Sequence, residues 1–125
     1  MTQRDPLAIA RGLGTAKDGV NHWWLQRLTA IALMLLTPWF MYLMFDVIGA
    51  EQFDIRATIA QPLNAALLVA FLLALFWHAR LGLQVVIEDY VHGWLEMTLQ
   101  IVVKLVYSFA AIASVLAVGR IVFSA

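Results

Sequence analysis

The chain has 125 residues, of which 63% are hydrophobic and 13% charged. A soluble domain carries roughly 45–50% apolar and about 25% charged residues, and so short a chain leaves too much surface exposed to hide the excess. This excludes an ordinary cytosolic enzyme, and also a disordered tail, which would be rich in charge and poor in apolar residues. The 8 Lys and Arg balance 8 Asp and Glu, so no global field draws in nucleic acid. Cysteine is absent, which removes disulfides, zinc–thiolate sites and any iron–sulfur cluster held by thiolates of this chain.

In chain order, residues 1–25 form a polar to mixed N-terminal segment with Arg4, Asp5, Arg11, Lys17 and Asp18. Three stretches then carry no charge: Leu28 to Phe45, Ala57 to Ala79, and Leu105 to Gly119 between Lys104 and Arg120. A helix needs about 20 mostly apolar residues to cross the ~30 Å hydrocarbon layer. The first two runs satisfy this as they stand, and the third does so if Lys104 and Arg120 snorkel to opposite interfaces. One all-α membrane domain over 1–125 is expected, with three transmembrane helices near 26–48, 60–87 and 98–122. Strands are excluded because lipid offers the backbone no hydrogen-bond partners and three segments cannot close a barrel.

Local signals agree. Pro62 suits the first turn of the second helix, where a missing N–H matters little, and Pro38 is expected to kink the first. Trp23, Trp24 and Trp94 flank the spans as interfacial aromatics do. The first apolar run is too long for a signal-peptide core, so no cleaved signal is expected. Arg4, Arg11, Lys17 and Arg27 precede the first span, while the first connection has only Arg56. Arg80 and Lys104 flank the second connection, and Arg120 stands alone in the tail. This bias puts the N-terminus and second connection on the cytoplasmic side and the C-terminus on the other.

His78 follows ten uncharged residues, Leu68 to Trp77. An ionisable group at membrane depth is costly and reads as functional, and neutral imidazole is the usual nitrogen ligand of haem iron. Gly82, one turn on, removes a side chain that would keep a flat macrocycle from the helix. The alternative is a histidine bonded to a neighbouring helix or a headgroup. Glu88, Asp89, Tyr90 and His92 cluster where the helix leaves the apolar layer. A phenol stays protonated at neutral pH and donates to a carbonyl oxygen, and a carboxylate beside it can relay protons. That pair suits a lipid-soluble substrate reduced at the membrane edge; the alternative is an interfacial tyrosine with solvated acids. Arg27 can bind a carboxylate through two bonds or simply anchor the helix to lipid phosphates. His22 and His92 read as interfacial, Asp46 as water-exposed, and Trp39, Met34, Met41 and Met44 as packing residues. Ala113 with Ala117, and Ala110 with Ser114, have the spacing of close helix packing, within this chain or against a partner.

Two stretches carry a family resemblance: Gly19-Val-Asn-His-Trp-Trp-Leu-Gln-Arg27-Leu-Thr-Ala-Ile and His78-Ala-Arg-Leu-Gly-Leu-Gln-Val-Val-Ile-Glu-Asp89-Tyr90-Val. Together they resemble the small hydrophobic membrane anchor subunit of bacterial succinate dehydrogenase (respiratory complex II), over nearly the whole chain. The resemblance implies that the three helices form half of a haem-containing bundle with a second, cytochrome b556-type anchor subunit. It implies His78 as an axial ligand of a b-type haem shared with that subunit, and Arg27 as a neighbour of the haem propionates. It further implies Tyr90 and Asp89 as the ubiquinone-binding pair. Some members have histidine where this chain has Asn21, with His22 one place later. FAD and iron–sulfur clusters would reside in flavoprotein and iron–sulfur partner subunits. The chain would then be non-catalytic alone and lie in the bacterial inner membrane, passing electrons from succinate to the quinone pool. A purely structural anchor, or the anchor of a fumarate reductase running in the opposite direction, are the alternatives.

Overall fold

A computed structural model describes residues 16–124. These fold as four helices: α1 (Ala16–Val47), α2 (Gln52–Ala60), α3 (Pro62–Tyr90) and α4 (Trp94–Ser124). Three of them are long and apolar enough to cross a membrane, with mean hydropathies of 1.8, 1.9 and 2.3 for α1, α3 and α4. The expected all-α architecture with three spans is found. Most of the expected N-terminal segment, including Arg4 and Arg11, lies outside the described residues.

The helices run past the apolar runs because their backbone hydrogen bonds are satisfied within the segment wherever the side chains lie. The 29 residues of α3 rise about 43 Å, more than the ~30 Å hydrocarbon layer requires. α1 accordingly starts at Ala16 rather than near 26 and continues through Pro38. The second span begins at Pro62, not 60, and extends to Tyr90 rather than 87. A proline disfavours the helical region for the residue before it, and Gln61 is held at φ −58°, ψ 130°. That break divides the uncharged run starting at Ala57 between a short helix, α2, and α3. The charge pattern alone predicts connection where α2 forms. The link from α3 to α4 is only Val91–Gly93, with Gly93 at φ +79°, a backbone conformation open mainly to glycine. The third span therefore starts at Trp94 instead of 98.

The spans stand in a row. α3 is central, with α1 on one side and α4 on the other; α1 and α4 make no close approach, and α2 touches all three. The α1–α3 seam is fixed by Phe40 stacked on Phe71, centroids 4.4 Å apart and planes 10° apart. The α3–α4 seam joins Ala65 and Leu68 to Val118. Farther along, Phe76 meets Tyr107 edge-on at 6.3 Å, and the Gln100 amide donates to the Gln84 carbonyl at 3.2 Å. A single layer buries little of itself: 17% of the most apolar window of α3 and 6% of those of α1 and α4. Both faces of the row are apolar and turned outward. Ala113 and Ala117 are exposed, so that pair is not buried against another helix among the described residues. The Ser114 hydroxyl donates to the Ala110 carbonyl at 2.7 Å.

Candidate functional site

His78 is half-buried on the face of α3 turned toward α1. Its Nδ1 lies 3.1 Å from the Thr29 hydroxyl oxygen, linking helices 49 positions apart in sequence. Thr29 is held by its own helix, since its oxygen is also 2.7 Å from the Leu25 carbonyl and 3.1 Å from that of Gln26. One turn along α3, a Cβ added to Gly82 would meet the Gln26 amide nitrogen at 3.8 Å. That is an ordinary van der Waals separation, so the Gln26 amide lies beside the α3 backbone at Gly82.

His22, Gln26 and Thr29 recur at i, i+4 and i+7, the spacing of one helix face. Among the described residues, His22 Nε2 and Gln26 Oε1 are sealed from solvent without a hydrogen-bond partner. Burying such a group unpaired costs about 1–3 kcal/mol, so this polar stripe through an apolar interface is not a packing convenience. His78 Nε2 differs: it has no hydrogen bond among the described residues, yet it is not among the sealed atoms. Among the described residues one ring nitrogen is engaged inside the chain and the other is not fully sealed. Leu25, Thr29, Leu73, Ala74 and Trp77 line an open cleft of about 340 Å³ beside this contact.

Tyr90 and Asp89 end α3 and are both exposed, Tyr90 at 80%. Neighbouring Glu88 is engaged, accepting from the Gln84 amide at 2.9 Å. Tyr90 lies twelve positions beyond His78, about 18 Å along the axis. His92 is exposed in the short link that follows. Arg27 is exposed, its guanidinium 5.2 Å from the Trp23 ring centre. It lies two residues from Thr29, hence about 200° round the helix, on the side of α1 away from His78. Arg80 stacks over Trp77 at 4.7 Å, with its Nε sealed and unpartnered among the described residues.

Asp89 and Tyr90 are therefore adjacent, His78 is joined to Thr29, and Arg27 stands apart from both groups. Thr29 and Gln26 join the site without being singled out by the charge pattern. The signal was there, in polar side chains at i, i+4 and i+7 leading into an apolar run.

The profile of the succinate dehydrogenase/fumarate reductase transmembrane subunit family matches residues 1–118. The chain belongs to that family. A succinate dehydrogenase hydrophobic membrane anchor subunit of Rickettsia bellii is 37% identical over 116 residues, 92% of this chain and 93% of its own. That of Paracoccus denitrificans is 31% identical over 109 residues, 87% of this chain and 84% of its own. A succinate dehydrogenase membrane anchor subunit of Reclinomonas americana is 44% identical over 84 residues, 62% of this chain and 67% of its own. No solved structure matches the chain significantly. As a member of the succinate dehydrogenase/fumarate reductase transmembrane family, it is a multi-pass anchor and a non-catalytic subunit of the enzyme complex.

Proposed function

We propose that this anchor holds a b-type haem through His78, binds ubiquinone through Tyr90 and Asp89, and serves electron transfer from succinate oxidation to the quinone pool. The observation that carries the reading is the half-buried imidazole in an apolar span, with Nδ1 engaged by Thr29 and Nε2 open. Among the described residues no three His, Asp or Glu side chains gather, so an iron here would take its remaining ligands from a macrocycle and a second anchor subunit. The haem, when bound, would supply a one-electron carrier within the bilayer. His78 fixes the ring position, and Gly82 keeps the neighbouring turn of α3 free of bulk. Arg27, exposed beside Trp23, is suited to a propionate reached across an interface rather than within the α1–α3 seam.

Ubiquinone reduction to ubiquinol takes up two electrons and two protons. The electrons come from an iron–sulfur partner, itself fed by a flavoprotein that carries FAD and oxidises succinate. The Tyr90 hydroxyl donates to a quinone carbonyl oxygen and so stabilises the charge that develops there. Asp89 beside it passes protons from water, to which both side chains are open. The Tyr90 end of α3 and the N-terminus face the cytoplasm, the C-terminus the periplasm, in a bacterial inner membrane, following the distribution of basic residues. Whether the complex runs toward ubiquinol or toward fumarate depends on quinone potential and on the partner subunits.

The test is His78→Ala, co-expressed with the partner subunits. The b-type reduced-minus-oxidised spectrum is expected to disappear while the subunits still assemble. An unchanged six-coordinate spectrum would refute His78 as the haem ligand.

A further inference from the structure

We infer that Thr29 is a positioning residue for His78: its hydroxyl oxygen accepts the Nδ1 proton, fixing the tautomer that leaves the Nε2 lone pair free for a metal. The inference rests on the haem reading above and adds the atom-level device that makes His78 a competent ligand.

The argument is a count of protons and lone pairs. A threonine hydroxyl has one proton to give and two lone pairs to offer. Three partners surround it: the Leu25 carbonyl at 2.7 Å, the Gln26 carbonyl at 3.1 Å and His78 Nδ1 at 3.1 Å. Both carbonyls can only accept. The 2.7 Å separation is the usual length of an O–H···O bond, so the hydroxyl proton goes to Leu25. The oxygen then faces Nδ1 with lone pairs alone, and contact at 3.1 Å requires the ring to donate. In the reverse arrangement the proton would point at Nδ1, leaving two carbonyl oxygens against a bare hydroxyl oxygen in an apolar seam. A neutral imidazole carries one ring proton. With that proton on Nδ1, Nε2 is the unprotonated nitrogen, and it has no hydrogen bond among the described residues.

Two features make the contact a positioning device. The β-branched side chain is stiff at χ1, and its bond to Leu25 ties the rotamer to the α1 backbone. The ring plane is thus set by a helix other than the one that carries it. An acceptor at the far nitrogen also raises the basicity of a ligating imidazole and orients it. Serine would keep the hydroxyl, whereas valine would keep the shape and lose it.

The test uses the whole complex with Thr29→Val, Thr29→Ser and His78→Ala, read by ferric low-spin EPR, redox titration of the b-type signal and haem transfer to apomyoglobin. Thr29→Val is expected to weaken haem retention on the order of 10-fold or more. It should also raise the midpoint potential, because a less basic ligand stabilises ferric iron less. Thr29→Ser should restore both. If Thr29→Val does not assemble, Thr29→Ala carries the same expectation without the branched bulk. Retention, EPR and potential unchanged in the variants lacking the hydroxyl, with the signal still lost in His78→Ala, would overturn the role of Thr29 and leave the ligand assignment standing. Retention of the signal in His78→Ala would instead overturn the haem reading itself.

Discussion

Replacing Tyr90 by phenylalanine removes one oxygen from a side chain that is 80% exposed. No hydrogen bond within the described chain involves that hydroxyl, and the end of α3 is held independently by the Val91 amide donating to the Ile87 carbonyl at 2.9 Å. On the proposed reading the substitution subtracts a bond to quinone and nothing from the described fold. One neutral hydrogen bond contributes about 0.5–1.5 kcal/mol net, which corresponds to roughly 2- to 13-fold in kcat/KM. The assay is succinate:quinone reductase with a short-chain ubiquinone, set against succinate oxidation by an artificial acceptor that draws electrons upstream of the anchor. The quinone-dependent rate should fall within that range while the artificial-acceptor rate, subunit ratio and haem content hold. Identical kcat and KM for quinone would show that the phenol does not contact it.

Three further substitutions test the fold. Phe71→Ala removes the stack on Phe40 that closes the α1–α3 seam. In lipid the loss is one of packing rather than of water-driven burial, with the aromatic pair alone contributing about 0.5–1.5 kcal/mol; a lower thermal midpoint in detergent and weaker haem retention are expected, and an unchanged midpoint would show the stack to be idle. Gly93→Ala and Gly119→Ala form a contrasting pair, since an added Cβ meets nothing within 4 Å at either position. Gly93 has φ +79°, so alanine there should cost about 1–2 kcal/mol, whereas in α4 at Gly119 it should gain up to about 1 kcal/mol; thermal midpoints moving the same way would refute the assignment of strain.

The spans were legible because charge is excluded from lipid: the gaps between Arg27 and Asp46 and between Lys104 and Arg120 survive as α1 and α4. Pro62 was legible for a local reason, and it opens α3 as read. The same proline hid α2, because an uncharged run from Ala57 to Ala79 looks continuous when only charge is followed, while the break at Gln61 is steric. His78, Asp89 and Tyr90 stood out as polar groups in or beside an apolar segment. Arg27 illustrates what composition leaves undetermined. Its type and depth suit an anionic partner, but its direction round α1 depends on which face packs against α3, and that is decided by Phe40, Thr29 and Gln26 meeting residues far along the chain. The Thr29–His78 contact belongs to the same class, a property of two helices brought side by side and of neither alone.

The short helix α2 touches all three spans, whereas the backbones of α1 and α4 make no close approach among the described residues. Among the described residues the chain is thus clasped across all three spans at one rim, like a fan held at its pivot, while at the other Val91–Gly93 ties only α3 to α4. Tyr90 belongs to that second rim, where α1 is joined to its neighbours only through α3. A partner polypeptide seated at that rim would therefore brace α1 where the chain's own connections, among the described residues, brace it least.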